Sequence, residues 1–259
     1  TYPFVTDHEK IEDCIDELVD YAEDSIPVLS ETKELLGVIT AQDVVEAVDD
    51  EMSEDYAKLA GLTDEEDLRE TTKESMKKRL PWLIILLFLG MGVSSVVGAF
   101  EAVVAVLPIV MCFQSLILDM AGNVGTQSLA VTIRVLMDEN LTGKQKLHLV
   151  WKEMKVGFVN GLLLGSLAFV FIGIYIACFK HNAWLHAFLI SGCVGVSLMV
   201  AMVISSLVGT LIPIFFHKIK IDPAVASGPL ITTVNDLVAV VTYYGLAWLF
   251  LIQIMQIVS

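Results

Sequence analysis

The sequence predicts a mainly α membrane protein, with five transmembrane helices preceded by a partial α/β domain and a connecting amphipathic helix. Three observations carry this. Apolar residues make up 55% of the 259-residue chain and its mean hydropathy is +0.70, above the roughly 45–50% apolar content of soluble domains. Charge is divided unevenly, with 24 acids and 8 bases in residues 1–80 against 7 acids and 8 bases in the remainder. Five apolar segments, at 82–104, 107–136, 155–179, 184–215 and 224–257, each reach the roughly 20 residues needed to cross hydrocarbon. The expected division is a soluble domain with an acidic helix over 1–60, a connecting helix over 61–80 and a membrane domain over 81–259.

Composition also narrows the chemistry. An acidic soluble part repels phosphate backbones, so nucleic acid is excluded as a partner and cations are favoured. Cys14, Cys112, Cys178 and Cys193 are far apart and form no CxxC, which predicts reduced, packed thiols. The five histidines are equally scattered, and no GxSxG, HExxH or GxxxxGK[ST] occurs, so the chain does not read as an enzyme. It opens at Thr1 in polar sequence with neither initiator Met nor signal peptide, and the expectation is that the native N-terminus lies upstream.

In the soluble part, Ile11, Cys14, Ile15, Leu18 and Val19 recur at helical spacing over Glu9 to Tyr21. Short apolar runs at Ile26 to Leu29 and Leu35 to Thr40 then predict two strands, joined by the polar turn Ser30 to Lys33. A helix is expected from about Ala41, with Val44, Val45 and Val48 on one face. Its continuation is strongly acidic: Asp43, Glu46, Asp49, Asp50, Glu51, Glu54 and Asp55 fall within about four helical turns. Such oxygen-rich clustering suits a hard divalent cation; the alternative is a solvated helix face. Thr63 and Glu66 have capping-box spacing, predicting a helix from about Asp64 towards Leu80. Lys77, Lys78 and Arg79 precede the first span, which places the soluble part in the cytoplasm.

Loop charges predict the same orientation throughout. Arg134, Lys144, Lys146, Lys152 and Lys155 flank the second connection and Lys218 and Lys220 the fourth, against Lys180 alone at the third. The protein is therefore expected to be a multi-pass protein of the cell membrane with its C-terminus outside. Gly90, Gly92, Ser94, Ser95 and Gly98 give the first span a small-residue packing face. The second span is polar for its depth, carrying Gln114, Ser115, Asp119, Gly122, Asn123, Gly125, Thr126, Gln127 and Ser128. Gly122 and Gly125 are expected to loosen that helix and bare carbonyl oxygens; the alternative is polar glue between helices. Spans three and four, rich in small residues, read as scaffold. In the fifth span Gly228, Thr232, Asn235, Ala239 and Tyr243 share a face beside Asp236. Asp236 lies roughly 18 Å into that span, a depth at which an acid needs a partner, a cavity or an ion path.

The stretch SIPVLSETKELLGVITAQDVVEAV resembles a single CBS motif, of the kind that works in pairs. With the acidic helix, LPIV from Leu107, AGNVGTQS from Ala121 and IDPAVASGPLITTVND from Ile221, the chain resembles, over essentially its whole length, the C-terminal part of the MgtE magnesium channels and transporters. That resemblance implies a homodimer whose second and fifth spans line a Mg²⁺ pore on the two-fold axis. Two copies of Asp236 would hold a largely hydrated Mg²⁺, in keeping with the reluctance of Mg²⁺ to dehydrate. Asn123, Gly122 and Gln127 would line or shape the path, with Asp119, Thr232 and Asn235 as further lining candidates. Asp119 reads equally as a pore ligand or a buried hydrogen-bond partner. Asp43, Glu46, Glu51, Glu54, Asp55 and Asp222 are the positions implied to bind regulatory Mg²⁺ that holds the closed state. Thr40 and Asp43 match the [ST]xxD with which nucleotide-binding CBS copies hold a ribose, making ATP or another adenine nucleotide a candidate ligand. The sequence departs from the family in lacking the usual N-terminal helical domain and first CBS motif, and in placing Ala121 where glycine is common.

The reading is thus passive Mg²⁺ uptake, gated by cytoplasmic Mg²⁺. Its rivals are an ion-coupled secondary transporter of divalent cations, for which no internal repeat is visible, and an intramembrane aspartyl protease using Asp119 and Asp236, for which the GxGD motif is absent.

Overall fold

A computed structural model describes residues 4–9, 25–63, 68–106, 108–136, 141–180, 183–225 and 228–254. The helix expected over Glu9 to Tyr21, with Cys14, lies almost wholly outside these residues, as does most of the Thr63 to Glu66 segment.

The soluble part contains a three-stranded sheet, β1 (Val5–Thr6), β2 (Ser25–Leu29) and β3 (Leu35–Thr40), in that spatial order. β1 runs parallel to β2 with Val5 opposite Val28, and β2 antiparallel to β3 with Ser25 opposite Thr40. The β2–β3 turn places Lys33 at φ 64°, and the Ser30 hydroxyl accepts the Glu34 N–H. Val5, Ile26 and Val44 form the small core. Leu35, Leu36 and Val38 remain more than half exposed on β3, as suits half of a paired module. Helix α1 (Ala41–Leu59) follows directly.

Helix α2 (Thr72–Ala99) is where one expectation fails. Residues 68–70 are turn, and the helix begins at Thr72 under a capping box of Thr71 with Glu74. This box is eight residues beyond the one anticipated at Thr63 and Glu66, of which Glu66 lies outside the described residues, and α2 continues through Pro81 into the first span without a break. Nor does its small-residue face find a partner among the described residues. Nothing lies within 4 Å of where a Cβ would sit on Gly90, Gly92 or Gly98, and no residue of α2 is buried.

After a bend at Phe100 come α3 (Glu101–Val106), a 3₁₀ turn over Pro108–Phe113, α4 (Gln114–Leu136), α5 (Gly143–Phe179), α6 (Trp184–Lys218) and α7 (Gly228–Ala247), which runs on as a π-helix over Trp248–Ile254. Five helices are long and apolar enough to span a membrane. α5 and α6 approach closely because glycine faces backbone at their contact. A Cβ on Gly165 would stand 2.6 Å from the Gly195 carbonyl oxygen, and one on Gly195 would stand 2.6 Å from that of Gly165. The main core joins α4, α6 and α7 through Ile117, Ala121, Val194, Leu198, Ala239 and Tyr244. Of the cysteines, Cys193 is packed as expected, whereas Cys112 and Cys178 are exposed in the single chain; all three are free.

Candidate ion path and its soluble lip

α4 is an unbroken α-helix across its glycines, so the expected loosening at Gly122 and Gly125 does not occur. The missing side chains serve packing instead. A Cβ on Gly122 would lie 3.1 Å from the Thr232 methyl, one on Gly125 would collide with the Asn235 amide, and one on Gly209 of α6 would collide with the Gly125 carbonyl. Three helices therefore meet around Gly125. Asn235 is fully buried there, with neither amide atom hydrogen-bonded among the described residues. Gly122 and Asn235 thus lie where α4 and α7 touch. The Thr232 hydroxyl donates to the Gly228 carbonyl at 2.9 Å, a bond within its own helix.

The opposite face of α4 is polar. Ser115, Asp119, Asn123 and Gln127 recur every four residues and are exposed in the single chain, and none has a hydrogen bond or ion pair among the described residues. Asp236 is part-buried on α7 and equally without a partner. Three antiparallel contacts set the level of this acid: the Tyr244 hydroxyl donates to Gln114 Oε1 at 2.5 Å, Thr232 meets Gly122, and Gly228 meets Thr126. Asp236 stands one turn from Thr232 towards Tyr244, level with the stretch of α4 between Gln114 and Gly122 that carries Asp119. Two unpartnered acids thus occupy one layer of the membrane domain, and the amides of Asn123 and Gln127 continue the polar face one and two turns further along α4. Polar groups at such depth demand water, an ion or another chain.

At the soluble end, Gly61 adopts φ +83° and packs 3.2 Å (as a Cβ) from Pro229, with Trp82 beside it. This brings the end of α1 onto the start of α7. Lys58 Nζ reaches Glu54 Oε1 at 2.9 Å and Asp222 Oδ2 at 2.6 Å, while Asp222 Oδ1 accepts the Ala224 N–H at 2.8 Å. Burial tends to lower the Lys58 ammonium, but its hydrogen bonds to Asp222 and Glu54 outweigh this and hold it above the ordinary lysine value. Asp55 is raised, first by burial, then by the charge of Asp222, with Lys58 opposing and Glu54 adding to the rise.

Glu54, Asp55 and Asp222 are therefore brought together as the sequence suggested, but around a lysine. Among the described residues no group of three His, Cys, Asp or Glu side chains is arranged to hold a metal. Glu46 is exposed, and the Glu51 side chain falls outside the described residues. Asp43 serves the helix end: its carboxylate accepts the Thr40 N–H and hydroxyl, both at 2.7 Å, which lowers its pKa. The [ST]xxD pattern here is a capping box.

The sequence reading missed two residues. Lys58 carried a signal, since Glu54 and Lys58 are at i,i+4 spacing. Glu153 lies outside the apolar segment expected over 155–179, whereas α5 begins at Gly143 and Glu153 is 6% exposed within it.

The divalent cation transporter family MgtE matches residues 114–246, and the CBS domain family matches residues 1–50. The chain belongs to the MgtE family. Proteins named "Magnesium transporter MgtE" are similar along most of it. That of Enterococcus faecalis is 37% identical over 240 residues, 93% of this chain and 51% of the relative. That of Bacillus subtilis is 38% identical over 229 residues, 88% and 48% respectively. The Thermus thermophilus protein is 32% identical over 238 residues, 90% and 50%. The chain spans about half the length of these MgtE relatives.

Proposed function

We propose that this chain forms the pore and the adjoining part of the sensor of a magnesium channel, admitting Mg²⁺ to the cell down its electrochemical gradient. The observation that carries the reading is the lone Asp236 carboxylate in mid-span, level with the unpartnered Asp119 of α4, whose exposed polar face continues through Asn123 and Gln127. In a homodimer these faces meet on the axis and enclose water, and a pair of Asp236 carboxylates holds a hydrated Mg²⁺ by charge while its waters remain. Thr232, Gly122 and Asn235 fix the spacing of α4 and α7 behind that lining. Driving force is sufficient without chemistry, since a divalent ion gains about twice the roughly 2.3 kcal/mol that one charge gains across 100 mV.

The soluble domain over 1–60 lies in the cytoplasm and the connecting segment over 61–80 joins it to the membrane domain over 81–259. Cytoplasmic Mg²⁺ at Glu54, Asp55 and Asp222, supported by Asp43, Glu46 and Glu51, steadies α1 against the pore entrance and closes it. The experiment is Mg²⁺ flux into proteoliposomes. Asp236→Ala is expected to abolish selective flux, and parental conduction and selectivity in that variant would overturn the pore assignment. Neutralising Glu54, Asp55 and Asp222 together raises flux at high internal Mg²⁺; an unchanged flux there defeats the sensor.

A further inference from the structure

At the end of the membrane domain that meets α1, the basic residues of α5 and α6 find no acid. The two helices carry five lysines, Lys144, Lys146, Lys152, Lys155 and Lys218, against a single acid, Glu153, which is buried against Ser128. Among the described residues none of these lysines has an ion pair, whereas Lys58 of α1 and Lys78 of α2 each have one. Asp222, five residues past His217, is taken up by Lys58 and the Ala224 N–H. What Lys146 reaches is another base. Its Nζ lies 3.2 Å from His217 Nδ1, part-buried between the first turn of α5 and the last turn of α6. An ammonium only donates, so Nδ1 accepts and the ring hydrogen is on Nε2. Two N–H groups of Lys146 and one of His217 are left over, donors without an acceptor among the described residues. The helix end is not their source, because its capping box is complete: the Thr142 N–H donates to Gln145 Oε1 at 2.8 Å and the Gln145 N–H to Thr142 Oγ1 at 3.4 Å.

We infer that Lys146 and His217 bind the phosphate of an anionic phospholipid headgroup. Their level in the membrane supports this. α5 and α6 pack antiparallel with their midpoints together, Gly161 against Met199. In a hairpin centred in the bilayer, Lys146 and His217 stand about 15 residues from those midpoints, roughly 21–23 Å along the membrane normal at a tilt of about 20°, which is the outer edge of the headgroup layer. Leu147 and Trp151 of α5 and Phe215 of α6 are more than half exposed at the same end and offer an apolar surface to acyl chains, tryptophan being a residue enriched at this level. A free phosphate has no use for that surface, which favours a lipid. Lys144 and Lys218, both exposed, add charge beside the pair, and basic pockets between spans are a recurring form of headgroup site.

A headgroup held there ties the start of α5 to the end of α6 from the lipid side. The inference rests on these two helices and holds whichever ion the protein carries.

The test titrates the full chain in neutral detergent with phosphatidylglycerol, with phosphatidylcholine of the same acyl chains and with inorganic phosphate. Retained lipid is read by native mass spectrometry, and amide exchange over 143–149 and 214–219 is followed in parallel. Phosphatidylglycerol is expected to bind about fivefold more tightly than phosphatidylcholine, the factor one basic residue contributes at an anionic surface, and to protect both stretches. Lys146→Gln removes that preference and Lys146→Arg keeps it, while Lys144→Gln, the same change in charge two residues away, leaves most of it. Equal binding of the two lipids overturns the proposal. So does inorganic phosphate that protects the same amides as well as phosphatidylglycerol does, which marks a free-anion site, and so do equal losses from Lys144→Gln and Lys146→Gln, which mark diffuse charge. Should Lys146→Gln not fold, exchange in the parent decides alone: protection by phosphatidylglycerol no greater than by phosphatidylcholine is equally fatal.

Discussion

Replacing Lys58 by Met isolates the contact between the soluble helix and the membrane domain. The methionine keeps the length of the side chain and removes the charge, leaving Glu54, Asp55 and Asp222 facing one another. The Lys58 side chain is 24% exposed and its partners Glu54 and Asp222 are 50% and 36% exposed, so each ion pair is worth about 1 kcal/mol at most. Only the Asp222 pair crosses to the membrane domain, the Glu54 pair lying within α1, so docking weakens by up to about 1 kcal/mol, a factor of roughly 5 in the docked population. Hydrogen exchange reads this directly, because the Ala60, Gly61 and Leu62 amides that end α1 bond to Tyr56, Lys58 and Ala57 carbonyls. In buffer free of divalent ions their exchange is expected to accelerate by that factor in the variant. Added Mg²⁺ slows it again, and more so than in the parent, because the ion then occupies the place of the ammonium. Exchange within about twofold of the parent without divalent ions would refute the view that Lys58 holds α1 to α7.

Other outcomes follow from the same geometry. Gly209→Ala drives a methyl into the Gly125 carbonyl and is expected to cost about 1–3 kcal/mol, seen as a lower unfolding temperature in detergent. Thr40→Ala removes the α1 cap and costs about 0.5–2 kcal/mol, read as lost protection of the first turn of α1. Acid acts on the two ends of α1 in opposite senses. Asp55 is raised in the docked state, so docking binds a proton and strengthens as pH falls through that raised value. Asp43 is lowered by its bonds to Thr40, so its cap is intact above the ordinary carboxylate range and is lost as pH falls through the lowered value. Hydrogen exchange of the first and last turns across an acid titration distinguishes the two.

The spans were legible because twenty apolar residues in a row leave the chain few alternatives, and β2, β3 and α1 because their period changes from two to 3.6 where Thr40 caps the helix. Asp236 stood out as an acid that lipid does not tolerate alone. What stayed hidden depended on contacts distant in sequence. Lys58 and Asp222 are 164 residues apart, and no local pattern pairs them. Gly125 has the same composition whether it breaks a helix or admits Asn235 and Gly209, and only the neighbouring helices decide between these. Thr63 and Thr71 both precede a glutamate by three, and local spacing does not rank one capping box over the other. Glu153 was obscured by Lys152 and Lys155, whose charges made a buried turn resemble a loop.

Gly61 has a consequence for how force travels. At this one residue the end of α1 touches both Pro229, at the root of the helix bearing Asp236, and Trp82, in the opening turns of the first span. The first and last spans, farthest apart in the membrane sequence, pack directly on each other, with Phe100 stacked on Tyr244, and Gly61 ties the soluble helix to both. A pull on α1 reaches Asp236 through about two turns of α7.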